Sequence, residues 1–257
     1  MLKLMKYEII HSVRTFMTAF GIFLVACVLF PFLVNMDRID AMPFFTLFMY
    51  FGISFLIVGI GIALFVSIFM NYNQSMFKRP GYLTLTLPVS TTELIISKVL
   101  VTMIWLLIAY FVLIAGVLLM SSISYLIHNS FTISMLINEM KSIFQHIYNS
   151  VFNNPWSFFE DVFSVVSLLI FLVSSIYFSL TLTHTKLVKN HRMLIGTIVF
   201  FVLLFIIQYI LSFFFQDIEF IAIRTQMQFI QMLIYMLIGI ALTIGTVYII
   251  DHHIEID

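Results

Sequence analysis

Long stretches of this chain contain no ionisable side chain. Met17–Val34, Phe44–Met70, Val99–Ile127, Val162–Thr183, Met193–Phe215 and Phe229–Ile250 have no Asp, Glu, Lys, Arg or His. A helix rises about 1.5 Å per residue, so about 20 apolar residues cross the hydrocarbon core of a bilayer. All six runs are long enough, and the chain is expected to be an all-α, polytopic membrane protein with six transmembrane helices. A proton or ion relay needs ionisable groups inside the membrane. None is present in these runs, so any driving energy is expected to arrive from outside the bilayer.

Other absences narrow the function further. No G-x-x-x-x-G-K-[ST] sequence occurs, which excludes ATP binding through a P-loop in this chain. There is no His-Glu-x-x-His, and Gly59-Ile60-Gly61 lies within an apolar run and does not continue into a dinucleotide fingerprint. The single cysteine, Cys27, excludes an intrachain disulfide and reads as a small packing residue. No cleavable signal peptide is expected, because the first apolar run is too long and no small-residue cleavage site comes after it. Charged residues make up only 9% of the chain and hydrophobic ones 62%, with a mean hydropathy of +1.13. That composition gives no basis for binding nucleic acid.

Lys and Arg in short loops tend to stay cytoplasmic. With the N-terminus inside, the inner segments hold Lys3, Lys6, Arg14, Lys78, Arg79, Lys98, Lys186, Lys189 and Arg192, and the outer ones only Arg38, Lys141 and Arg224. This bias predicts two cytoplasmic termini. The chain is expected to form one transmembrane domain over 1–257, with a cytoplasmic loop at 71–98 and an external helical loop at 128–157.

The segments between the runs are patterned. Leu2, Met5, Ile9, Val13 and Phe16 share one helical face, with Lys3, His11 and Arg14 opposite and Lys6 at the border. This predicts an interfacial helix over 1–16, or a plain extension of the first span. Pro80-Gly81 is a turn signal. The alternating Tyr82–Leu87 stretch after it suits a strand or a short helix. Ser90-Thr91-Thr92-Glu93 is a capping box that starts a helix running into the third span. Leu136, Met140, Phe144 (or Ile143), Ile147 and Val151 recur at helical spacing and predict an external amphipathic helix. His184 to Arg192 reads as a basic topology anchor at the headgroups.

Few constellations could carry chemistry. Asp251-His252-His253-Ile254-Glu255-Ile256-Asp257 contains metal-type ligands at a spacing that matches no specific site, and it reads as a solvated tail. Glu160 and Asp161 read as acids near a helix start. Ser164, Ser167, Ser174 and Ser175 occupy roughly one face of the fourth span, and Gln208 is an amide within the fifth. Ser164, Ser167, Ser174 and Gln208 are the candidates for a mildly polar substrate chamber, against a reading of close helix packing. Gly59-x-x-x-Ala63 and Ala241-x-x-x-Gly245 are small-residue pairs of the same packing kind. The 30 Phe and 16 Met give a soft apolar interior, suited to a variable, greasy substrate or to ordinary lipid contact.

One stretch resembles a known family. Lys3-Leu4-Met5-Lys6-Tyr7-Glu8 before the first span is similar to the start of ABC-2 type (type II exporter) permease subunits. Gly81-Tyr82-Leu83-Thr84-Leu85-Thr86-Leu87-Pro88-Val89-Ser90, then Glu93-Leu94 and Ser97-Lys98, is similar to the segment between spans two and three of bacterial members. The resemblance implies a dimerising permease in the bacterial cell membrane, driven by a separate ABC ATPase subunit that holds ATP and magnesium, with no cofactor in this chain. It also implies that Phe77, Lys78, Arg79, Tyr82, Leu85, Leu87 and Glu93 couple to that ATPase, and that the N-terminal helix is the family's elbow helix. The external loop lacks an aromatic cluster of the carbohydrate-recognising kind. Small permeases of this appearance occur in exporters of bacteriocins and amphipathic peptide toxins and in the related immunity systems. Three functions stand side by side: an exporter of hydrophobic or amphipathic peptides, a non-transporting immunity or sensor subunit, and an intramembrane enzyme using Glu160, Asp161 or the terminal His-acid cluster.

Overall fold

The computed structural model describes residues 2–33, 43–77, 89–127, 133–185, 191–215 and 221–253. They form seven helices: α1 (Leu2–Leu33), α2 (Pro43–Phe77), α3 (Thr91–Ile127), α4 (Ile133–Asn153), α5 (Pro155–Thr183), α6 (Arg192–Phe215) and α7 (Ile221–His253). All except α4 are long and apolar enough to cross a membrane, six in total, which marks the chain as a multi-pass helical membrane protein.

Local sequence accounts for the helix ends. At the start of α3, the Glu93 backbone N–H donates to Ser90 Oγ at 3.3 Å and the Leu94 N–H donates to the Ser90 carbonyl at 3.2 Å. Ser90 is therefore the N-cap, and the helix continues without a break into the third apolar run. Pro155 opens α5 at a position where a missing N–H costs nothing, and Asn154 alone separates it from α4. The helices outrun the apolar runs: α2 continues to Phe77 and α7 to His253. The Tyr82–Leu87 stretch lies outside the described residues, as do Ile254–Asp257 of the terminal cluster.

The first helix runs unbroken from its N-terminal segment into the first apolar run. No boundary separates 1–16 from the first span, and α1 is one helix of 32 residues. The cause is local, since neither Gly nor Pro occurs between Leu2 and Gly21. Along its N-terminal half, Leu2 is 83% exposed, whereas Ser12 and Phe16 are fully buried.

The residues group into two compact units, Met1–His11, Ile68–Ile104 and Trp156–Asp257 in the first, Ser12–Ser67 and Trp105–Pro155 in the second. Trp105 organises the second unit. Its indole Nε1 donates to Ser12 Oγ at 2.8 Å, and its ring stacks on Phe16 with centroids 5.0 Å apart. Gly116 lies close to Phe23 and Cys27, so Cys27 is a buried packing residue. Gly59 faces open space, so among the described residues no close approach falls at Gly59.

In the first unit α5 is the central helix, with Ser167, Ser174, Ser175, Ser179, Thr181 and Thr183 all buried along it. Most of these hydroxyls donate to a carbonyl three or four residues back, as Ser175 does to Phe171 at 2.7 Å and Ser179 to Ile176 at 2.8 Å. Ser174 apart, they are small residues already satisfied within their own helix, which lets neighbouring helices approach. The closest approach falls at Gly239 of α7, where an added Cβ would lie 3.1 Å from the Phe171 backbone. A backbone neighbour cannot rotate away, so Gly239→Leu is expected to cost about 1–3 kcal/mol by overpacking. Thermal unfolding in detergent should show a clear fall in Tm for this variant and little change for Gly61→Leu, where the added side chain meets open space.

Candidate functional site

The most constrained region of the first unit is a buried polar cluster built from α1, α2, α3 and α5. Its centre is Lys98, about 12 Å along α3 from the Ser90 cap. Lys98 is 2% exposed. Its Nζ donates to Glu8 Oε1 at 2.7 Å and to Ser75 Oγ at 2.8 Å. Ser75 in turn donates to the Tyr72 carbonyl at 3.3 Å. One ammonium thus holds α1, α2 and α3 at a single point.

Two tyrosines extend the cluster. The rings of Tyr72 and Tyr177 stack with centroids 4.0 Å apart, and both are buried. Tyr72 Oη shares a hydrogen bond of 2.8 Å with Thr181 Oγ1, and Tyr177 Oη one with Thr102 Oγ1. Tyr177 also donates to the Lys98 carbonyl at 3.3 Å. Phe77 stacks on His184 at 3.8 Å, and His11 Nδ1 lies 3.1 Å from Asn71 Oδ1. These contacts gather at the helix ends on either side of the segment 78–88.

The cluster refines one sequence expectation and corrects another. Loop charge counting places Lys98 at the end of the segment 71–98, and its side chain is buried among the packed helices. The basic neighbourhood of His184 predicts headgroup contact, but His184 is 5% exposed, with Nδ1 2.9 Å from the Leu180 carbonyl and its ring on Phe77. Glu8 and Lys98 each end a stretch that carries the family resemblance, but nothing in the sequence pairs them with one another or with Ser75.

Of the residues expected to couple to an ATPase, Phe77 is buried against His184 and Glu93 is exposed at the α3 cap. Lys78, Arg79, Tyr82, Leu85 and Leu87 lie outside the described residues. The four chamber candidates do not form one wall. Ser174 is fully buried, and its Oγ has no hydrogen-bond partner among the described residues. Ser164 and Ser167 line a groove of about 430 Å³ with Asp161, Val165, Leu168, Gln231, Met232 and Tyr235. Gln208 joins this groove indirectly, because Tyr235 Oη donates to its Oε1 at 2.9 Å. A second groove of about 480 Å³ is almost wholly aliphatic, lined by residues such as Ile95 and Met103 of α3, Ile170 of α5 and Ile244 of α7.

No family model, curated protein or solved structure matches this chain. The arrangement itself offers packing, a buried ion pair and two grooves in a membrane bundle.

Removing one member of a buried ion pair strands the other, at a typical cost of about 3–5 kcal/mol. Glu8 is 17% exposed, so it keeps some access to water if Lys98 is lost. Lys98 has no such access if Glu8 is lost. Glu8→Ala is therefore expected to destabilise more than Lys98→Met. The double variant Glu8→Leu with Lys98→Met should recover much of the loss. Thermal unfolding of the three proteins in one detergent checks the order.

Proposed function

We propose that this chain is the permease subunit of an ATP-binding-cassette exporter that moves a hydrophobic or amphipathic substrate, with a peptide toxin or bacteriocin as the best fit. The observation that carries the reading is the Gly81–Ser90 segment and its direct connection to α3. That stretch resembles the coupling segment of ABC-2 permeases, and Ser90 caps α3. A load applied before Ser90 enters a continuous helix of 37 residues. Eight residues on, that helix is fastened through Lys98 to α1 and α2. The lever and its anchor are what a permease driven by a separate ATPase needs.

In this reading the membrane is the bacterial plasma membrane, with both termini on the cytoplasmic side. The Lys and Arg bias of the loops supports that orientation. Two copies, or this chain and a homologue, form the pathway, and the ATPase supplies ATP and magnesium. The N-terminal part of α1 acts as the elbow, and α4 lies along the outer leaflet. Exposed Ile137, Met140, Phe144, Tyr148 and Phe152 give α4 a continuous apolar stripe that suits this position. The aliphatic groove beside α3, α5 and α7 suits an apolar substrate segment. A non-transporting immunity or sensor role would use the same grooves without coupling to ATP turnover.

The test is mutational. In proteoliposomes holding the chain and its ATPase, Tyr82→Asp with Leu85→Asp should leave the spans inserted and uncouple ATP hydrolysis from substrate movement. Unchanged transport by the double variant would overturn the coupling assignment.

A further inference from the structure

The exposed face of α6 carries a polar group that the chain leaves half-used. Between Met193 and Phe215 the polar side chains are Thr197, Gln208, Tyr209 and Ser212. Thr197 Oγ1 donates to the Met193 carbonyl at 3.0 Å and Ser212 Oγ to the Tyr209 carbonyl at 2.8 Å, so both hydroxyls are satisfied within their own helix. Tyr is a residue type that sits well at the membrane interface, with its hydroxyl toward the headgroups. Gln208 is different. Its amide has two hydrogens, and its carbonyl oxygen has two lone pairs. Tyr235 Oη donates to Oε1 at 2.9 Å and takes one lone pair. Two hydrogens and one lone pair have no partner among the described residues. Every residue within one turn of Gln208 on α6 and of Tyr235 on α7 is described, and Gln208 is exposed.

Gln208 lies five residues before Phe213, about 8 Å inside the end of its span. Lipid tails offer no acceptor at that depth, so an amide there is costly unless something polar meets it. Leu194, Ile198, Phe201, Phe205, Gln208 and Ser212 follow one another at steps of four and three, and all six are exposed. This repeat forms the straight seam of two helices in left-handed packing. An apolar helix contains other such seams. Gln208 marks this one, because a single amide at a seam position fixes register and partner. Copies of one chain insert in the same orientation, so a two-fold axis along the membrane normal sets each residue of α6 opposite itself at equal depth. An amide opposite an amide is self-complementary, since each can donate and accept.

We propose that two copies of this chain pair through α6, the Gln208 amide of each donating to Oε1 of Gln208 of the partner subunit, with Leu194, Ile198, Phe201 and Phe205 closing the seam. The presence of a second copy rests on the exporter reading. Its seat on α6 rests on Gln208.

The experiment is disulfide cross-linking and single-molecule lipid dilution of the purified full-length chain in liposomes, without an ATPase and in a Cys27→Ala background. Ser212→Cys, on the seam, should cross-link two copies on mild oxidation. Ile210→Cys, exposed on the other side of α6, should not. Gln208→Leu should weaken the dimer about fivefold, the size of one hydrogen bond between helices in a membrane. Tyr235→Phe keeps the amide and should leave the dimer as strong as in wild type. Equal weakening by Tyr235→Phe assigns the effect to packing of α6 on α7 and overturns the role of Gln208. A dimer of wild-type strength in Gln208→Leu, or cross-linking from Ile210→Cys and not from Ser212→Cys, overturns the α6 seat and leaves the two-copy reading standing. A wild-type chain that stays monomeric at every dilution overturns both. The coupling assignment at Tyr82 and Leu85 needs the ATPase, so it stands or falls separately.

Discussion

An ammonium group removed from water must be matched by charge and by hydrogen-bond acceptors, or the surrounding structure does not form. Lys98 imposes that demand on the first unit of this protein. Glu8 answers with a carboxylate and Ser75 with a hydroxyl, so α1 and α2 must both reach α3 at one height. The stacked Tyr72 and Tyr177 bring α5 to the same place, and their hydroxyls close on Thr181 and Thr102. A buried ion pair adds little net stability compared with well-packed apolar residues. What this one contributes is register, because only one axial placement of the helices puts the three side chains in contact.

That register matters for the proposed function. Uncharged spans packed through small residues and aromatic rings have many near-equivalent arrangements, since lipid tails are as apolar as the side chains. The polar cluster removes that freedom at the helix ends flanking 78–88, where force from an ATPase would enter. Farther along α5 the packing depends on hydroxyls bonded within their own helix and on the close approach of Gly239, contacts that can slide without breaking a charge pair. A stiff anchor at one end with a softer remainder is the mechanical arrangement that opening a pathway requires.

The six apolar helices are legible in the sequence, because absence of charge over about 20 residues is a strong and local signal. The start of α3 is equally legible, since Ser90 and Glu93 declare a cap within four residues. The helix at 133–153 is visible in its apolar spacing. What stays hidden is non-local. Glu8 and Lys98 are 90 residues apart, and nothing in the sequence pairs them. His184 looks like a headgroup contact because its neighbours Lys186 and Lys189 are basic, and its partner Phe77 lies on another helix. The serines of α5 are visible as a stripe. Whether each faces a groove, as Ser164 and Ser167 do, or the interior, as Ser174 does, depends on the rotation of the helix against α7.

The most direct test is to capture the tagged full-length chain from gently solubilised bacterial membranes and identify by mass spectrometry what remains bound in stoichiometric amount. A permease of this kind should bring down a soluble nucleotide-binding ATPase subunit, and should lose it when Tyr82 and Leu85 are replaced by Asp. A chain that purifies without any ATP-binding partner, or whose partner is retained in full by that variant, would contradict the exporter reading.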